Sequence, residues 1–170
     1  MELGGIIGII RKRGDFKMDP KVLVLGLGNT IMSDDGLGVY AIRELDKLSW
    51  PQEVKLLDGG TSILNYWGEI GQTLNLIVVD TIISGKAPGT IYRWRAFPGL
   101  APLYLDSHKA GLTEAVALAR QFYKLPREIT LFGIEPQSWD LGESLSSEVL
   151  EALPRLISLV KREVDTYLKS

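Results

Sequence analysis

The sequence predicts a three-layer α/β domain, and three observations carry that expectation. Short apolar runs rich in β-branched residues, at Val22–Leu25, Leu74–Val79 and Glu128–Ile134, read as buried strands. Between them lie segments whose apolar residues recur at helical spacing, so strands and helices alternate along the chain. Each of the first three strands also meets an acidic residue at or just beyond its C-terminal end, the edge where open α/β sheets bind their ligands.

The organising stretch is Lys21 to Val39, K-V-L-V-L-G-L-G-N-T-I-M-S-D-D-G-L-G-V. Val22–Leu25 is the first strand, and Gly26 and Gly28 let the backbone turn behind it without Cβ clashes. Asp34 suits the N-cap of the helix that follows, because its side chain can accept an otherwise unpaired N–H there. Capping accounts for one aspartate and leaves Asp35 to be explained. A dinucleotide-binding loop fits poorly: Gly26 and Gly28 supply two glycines of G-x-G-x-x-G, the third is missing, and two carboxylates would repel a pyrophosphate. A cation or a cationic peptide would be welcome there, and the loop reads as one that presents a carboxylate.

The first helix is expected over about Gly36 to Leu48, with Val39, Ile42 and Leu45 as its stripe. The second strand, Glu53–Leu57, runs into Asp58-Gly59-Gly60-Thr61, where Asp58 suits a turn bonded to nearby N–H groups. Ser62 to Ile70 is a short helix with Ile63, Leu64, Trp67 and Ile70 inward. Asp80 stands at the end of the third strand, a place that suits a turn residue and a catalytic one equally. After a turn at Ser84 to Pro88, Gly89–Ala96 reads as a fourth strand, antiparallel or at an edge given its short link to the third. Phe97 to Asp106 is a loop, and His108 opens a helix bearing Leu112, Val116, Ala119 and Phe122 on one face. A lone histidine is commonly a surface or capping residue, but its place after a long irregular loop favours function. Glu128–Ile134 is the fifth strand, and Glu135 to Ser144 is a loop. From Ser146 a helical stripe of Val149, Leu153, Leu156, Val160 and Val164 follows, which Pro154 should kink or divide.

Composition narrows the chemistry. The chain has 170 residues, 45% hydrophobic and 24% charged, which suits one domain with its own core. A net charge of −2 gives no basic surface for nucleic acid. The absence of cysteine removes disulfides, thiolate ligands and thiol nucleophiles together, and a single histidine excludes a histidine-rich metal site. Residues 1–20 read as a separate N-terminal arm. Ile6, Ile7, Ile9 and Ile10 form too short an apolar patch to span a bilayer, and Arg11, Lys12 and Arg13 follow it, the reverse of a secretory signal. An upstream start, an expression remnant or a flexible arm would each account for it, with Met18 as a possible natural start. Residues 21–170 are expected to form one domain, in the cytoplasm and without membrane insertion.

Five motifs, in order, resemble those of the maturation endopeptidases of nickel–iron hydrogenases: G-L-G-N at Gly26 to Asn29, S-D-D-G-L-G-V at Ser33 to Val39, D-G-G-T at Asp58 to Thr61, V-V-D at Val78 to Asp80, and S-H-K-A-G-L at Ser107 to Leu112. The resemblance runs from about Lys21 to the C-terminus. It implies a mixed five-stranded sheet of order 2-1-3-5-4 with the fourth strand antiparallel. It further implies an enzyme that removes a C-terminal extension from a hydrogenase large-subunit precursor after nickel insertion. It maps the family's metal-contacting set onto Asp35, Asp80 and His108, and its recognition loop onto Asp58, Gly59, Gly60 and Thr61. The first of these positions is commonly glutamate in the family; aspartate is one methylene shorter, which draws the carboxylate back by about a bond length.

With no cysteine and no evident serine–histidine pairing, activated water is the natural nucleophile. Asp35, Asp58 or Asp80 can act as general base, as in aspartic proteases, or a divalent metal can polarise the water or the carbonyl. Nickel is expected to arrive with the substrate, and no organic cofactor is expected. Two further readings stand beside this one: a nucleotide-binding α/β protein with Asp58 on the ribose, and a non-catalytic nickel-binding maturation factor.

Overall fold

The computed structural model describes residues 19–96 and 125–170. The loop over 97–106, His108 and the helix expected after it lie outside these residues, as does all of the N-terminal arm but Asp19 and Pro20. Five strands are described: β1 (Val22–Leu27), β2 (Val54–Gly60), β3 (Asn75–Thr81), β4 (Ile91–Ala96) and β5 (Glu128–Ile134). They form one mixed sheet of order β2-β1-β3-β5-β4, in which only β4 is antiparallel to its neighbour. The implied order is therefore confirmed. The short link after β3 leads to an edge strand, which pairs with β5 rather than with β3.

Period-two alternation divides the strands between two cores. Val22, Val24, Ile77, Val79, Phe132 and Ile134 face helices α1 (Leu37–Leu45) and α3 (Ser147–Lys169). Leu23, Leu25, Leu76, Val78, Ile129 and Leu131 face the opposite layer, where Ile63 and Ile70 come from a 3₁₀ turn (Ile63–Tyr66) and the short helix α2 (Trp67–Ile70). Each fully buried aliphatic or aromatic side chain contributes about 1.5–3 kcal/mol, so burial on both faces fixes the register of the central strands. At β4, Arg93 and Arg95 reach the buried Glu163 of α3 at 2.7 and 3.0 Å. Burial opposes the Glu163 charge, but the two guanidinium partners outweigh it and hold the carboxyl below its ordinary range.

Three local expectations are corrected. Helix α1 begins at Leu37, after a 3₁₀ turn over Ser33–Gly36, and ends at Leu45. Gly26 lies inside β1 rather than in a turn; it is glycine because α1 crosses close by, and a Cβ there would come within 2.1 Å of the Gly38 carbonyl oxygen. Helix α3 runs undivided through Pro154. The carbonyl that loses its intrahelical donor belongs to Leu150, 56% exposed, where water can serve instead. Among the described residues no helix is long and apolar enough to cross a membrane.

Candidate active site

The loop after β1 is folded tightly around Asp35. Gly28 has φ of 143°, and a Cβ there would lie 1.8 Å from the Asp35 carbonyl oxygen, so only glycine fits. The Asn29 N–H donates both to that carbonyl and to the Asp35 carboxylate, each at 3.1 Å, while the Asn29 side-chain oxygen accepts the Ile31 N–H at 3.2 Å. Asp35 is thereby oriented and remains partly exposed. Ser33 occupies the left-handed region at φ 47°, uncommon for a side chain with a Cβ. Its N–H donates to the Gly142 carbonyl and its hydroxyl to the Asp140 carbonyl, both at 2.8 Å, which holds the turn in place.

Asp34 does different work from the capping expected of it. No side chain caps the 3₁₀ turn or α1. Its carboxylate is fully buried and accepts the N–H groups of Gln137 (2.8 Å), Ser138 (2.9 Å) and Ser146 (2.7 Å), together with the Ser146 hydroxyl (2.8 Å). Its own N–H donates to the Ser138 carbonyl. One aspartate therefore fastens the loop between β5 and α3 against the loop after β1.

The expected loop Asp58-Gly59-Gly60 is the end of β2 itself, because pairing with β1 continues through Gly26–Asp58 and Leu27–Gly60. Asp58 is exposed and accepts the Gly60 N–H at 2.9 Å, as its predicted turn role required. Gly59 is buried, and a Cβ on it would crowd Leu25 and Leu27 at 2.8 Å, whereas Gly60, at φ 52°, faces open space and Thr61 is exposed. The Gly28 N–H donates to the Gly60 carbonyl at 2.8 Å, joining this segment to the Asp35 loop.

Asp80 is the penultimate residue of β3, only 8% exposed, and its carboxylate accepts the Thr81 N–H at 2.7 Å. The Thr81 hydroxyl donates to the Asp34 carbonyl at 2.7 Å, so the end of β3 is tied directly to the Ser33–Gly36 turn. Asp58 and Asp80 thus lie at the ends of β2 and β3, and Asp35 lies in the turn that follows β1 between them, all at one edge. They do not share one face: alternation sets Asp80 with Val78 on the α2 side, and Asp58 with Leu56 on the α1 side.

Glu135, read from sequence only as the start of a loop, is a buried part of this edge. It is 4% exposed and accepts the N–H groups of Ser84 (2.9 Å) and Gly85 (3.0 Å) and the Tyr92 hydroxyl. Burial and the bond to Glu135 push the Tyr92 phenol up to about 12, so it stays a donor at neutral pH. The missed signal was an acid directly after a buried strand, the same pattern that singled out Asp58 and Asp80.

His108 is outside the described residues, so the three-residue set with Asp35 and Asp80 is not described as a unit. Among the described residues, no three His, Cys, Asp or Glu side chains are grouped to hold a metal ion.

A family model described as hydrogenase maturation protease matches residues 39–163. The hydrogenase 2 maturation protease of Escherichia coli K12 is 34% identical over 149 residues, covering 83% of this chain and 91% of that protein. Among solved structures, the hydrogenase maturating endopeptidase HybD from E. coli superposes with a TM-score of 0.78 at 28% identity, over 86% of this chain and 93% of that one. The [NiFe] hydrogenase maturation protease HycI from Thermococcus kodakarensis gives 0.70 at 26% identity, over 91% and 96%.

Proposed function

The chain belongs to the hydrogenase maturation protease family, and from that premise we propose that it removes a C-terminal extension from a [NiFe] hydrogenase large-subunit precursor once nickel is in place. The observation that supports this reading best is the division between Asp34 and Asp35. A buried, fully bonded carboxylate makes the edge rigid, while the next residue holds a partly exposed carboxylate on the turn that the Thr81 hydroxyl ties to the end of β3. Rigid placement of charge is what a protease needs to hold one peptide bond in a reactive position.

In this reading Asp35, Asp80 and His108 contact the nickel that the precursor carries. Nickel is part of the substrate and serves to align the scissile bond. Two carboxylates and an imidazole suit nickel and leave coordination positions to the precursor's own ligands. The hydrolytic step uses water. Asp58 is exposed at the same edge but leaves the opposite face from Asp80, so a precursor lying across the edge would bring the scissile bond to it; there it would accept the proton as water attacks the carbonyl carbon, and the proton would then pass to the leaving amine. The Gly59-Gly60-Thr61 segment flanks the incoming chain. The Asn29 N–H bound to Asp35 leaves one fewer donor for a phosphate, which weighs against the nucleotide-binding alternative along with the family assignment.

The test is intact-mass measurement of a nickel-loaded large-subunit precursor before and after incubation with the enzyme. Loss of one C-terminal fragment, with multiple turnovers, is the expected result. Stoichiometric binding with no mass change would instead make the protein a non-catalytic maturation factor.

A further inference from the structure

The exposed apolar residues of this protein are not scattered. Among the described residues six large hydrophobic side chains are exposed, and four of them lie on the segments that follow β1, β3 and β5: Ile31 at 53%, Ile83 at 39%, Trp139 at 37% and Leu141 at 81%. Single exposed apolar residues need no explanation, but a group gathered on one edge of a sheet does.

Hydrogen bonds hold the segments after β1 and β5 side by side. Met32 and Gly142 form a parallel bridge, the Gly142 N–H donates to the Ile31 carbonyl at 3.1 Å, and the Ser33 N–H donates to the Gly142 carbonyl at 2.8 Å. Ile31 and Leu141 each precede one residue of that bridge, so they are neighbours on one side of it. Asp34 fixes the start of the same loop through Gln137 and Ser138, and Ser33 fixes Asp140. The patch is also continuous with the site: Asn29 accepts the Ile31 N–H through its side chain and donates its own N–H to the Asp35 carboxylate. Ile83 follows Asp80 by three residues on the segment after β3, which the Thr81 hydroxyl ties to the Asp34 carbonyl.

We propose that Ile31, Trp139 and Leu141, with Ile83, form the surface on which the protein substrate docks, its apolar side chains resting beside the carboxylates. The inference rests on the proposed protease activity and adds where the precursor sits. A protease that acts on a folded precursor has to bind polypeptide across the edge bearing Asp35 and Asp80, and among the described residues this exposed apolar surface adjoins it. A preassembled platform spares the loss of loop freedom on binding. Contacts there are made alike in ground and transition states, so they set KM rather than kcat.

The experiment compares wild type with Ile31→Glu, Leu141→Glu and the control Leu150→Glu on nickel-loaded precursor. Leu150 is 56% exposed on α3, outside the bridged segments that carry the patch, and adds the same charge there. KM should rise about tenfold or more for the two patch variants, with kcat within about twofold and melting temperature unchanged, while Leu150→Glu behaves as wild type. An unchanged KM in both patch variants overturns the docking surface while wild-type cleavage leaves the protease reading standing. An equal rise in Leu150→Glu would trace the effect to net charge and overturn it too. Conversion of a wild-type dimer to monomer at unchanged KM would assign the patch to self-association instead. Failure of wild type to cleave would remove the protease reading itself.

Discussion

Asp80→Asn should remove processing activity and leave the domain folded. Asp80 is buried at the end of β3, and its carboxylate oxygen accepts the Thr81 N–H at 2.7 Å. Asparagine keeps an oxygen in that place and nearly the same volume, so the strand end keeps its geometry. The negative charge is lost, and with it the ability to contact a cation or share in proton movement. Groups of this kind contribute about 10²–10⁴-fold in rate, so kcat on nickel-loaded precursor should fall at least a hundredfold while the melting temperature stays within a few degrees. Asp35→Asn should behave in the same way, since the Asn29 N–H also reaches the Asp35 carbonyl. A large drop in melting temperature with activity lost in proportion would make Asp80 a structural residue.

The adjacent aspartate is expected to give the opposite result. Asp34→Ala should destabilise the domain by on the order of 3–5 kcal/mol, because three backbone N–H groups and the Ser146 hydroxyl lose their acceptor at once. For a chain of this size each kcal/mol shifts the melting temperature by roughly 2–4 °C, so a fall of about 10 °C is expected in thermal denaturation. Asp34→Asn should recover part of this, since one amide oxygen can replace the carboxylate oxygen that accepts Gln137, Ser138 and the Ser146 hydroxyl, while the new N–H₂ group faces the Ser146 N–H. A melting temperature close to wild type in Asp34→Ala would show that the loop from Gln137 to Ser146 is held by other means.

This contrast marks where the sequence was legible. The strands were readable because apolar runs of strand length, flanked by glycine and acids, allow few other structures; Glu128–Ile134 was bounded to the residue, and Leu74–Val79 to within two. The order 2-1-3-5-4 came from the family resemblance, since nothing in local periodicity states which strands are neighbours. Asp34 and Asp35 are chemically identical neighbours, and what marks Asp34 out is a loop 103 to 112 residues further along the chain that supplies its donors. Glu135 was passed over for the same reason: its partners Ser84, Gly85 and Tyr92 are 43 to 51 residues away. Gly26 was legible as a required glycine and misread as a turn, because the close crossing of α1 is a tertiary fact.

The central claim is that this acidic edge reads a cation that the substrate brings with it. The most direct measurement follows fragment release by mass spectrometry from apo and nickel-loaded precursor at equal concentration, with casein as a third substrate. Misplacing a scissile bond by even about 1 Å costs on the order of 10²-fold in rate. The account therefore predicts cleavage of the nickel-loaded form alone, with the apo form slower by at least that factor and casein untouched. Equal cleavage of apo and nickel-loaded precursor, or ready digestion of casein, would contradict it and point to a general acid-type protease.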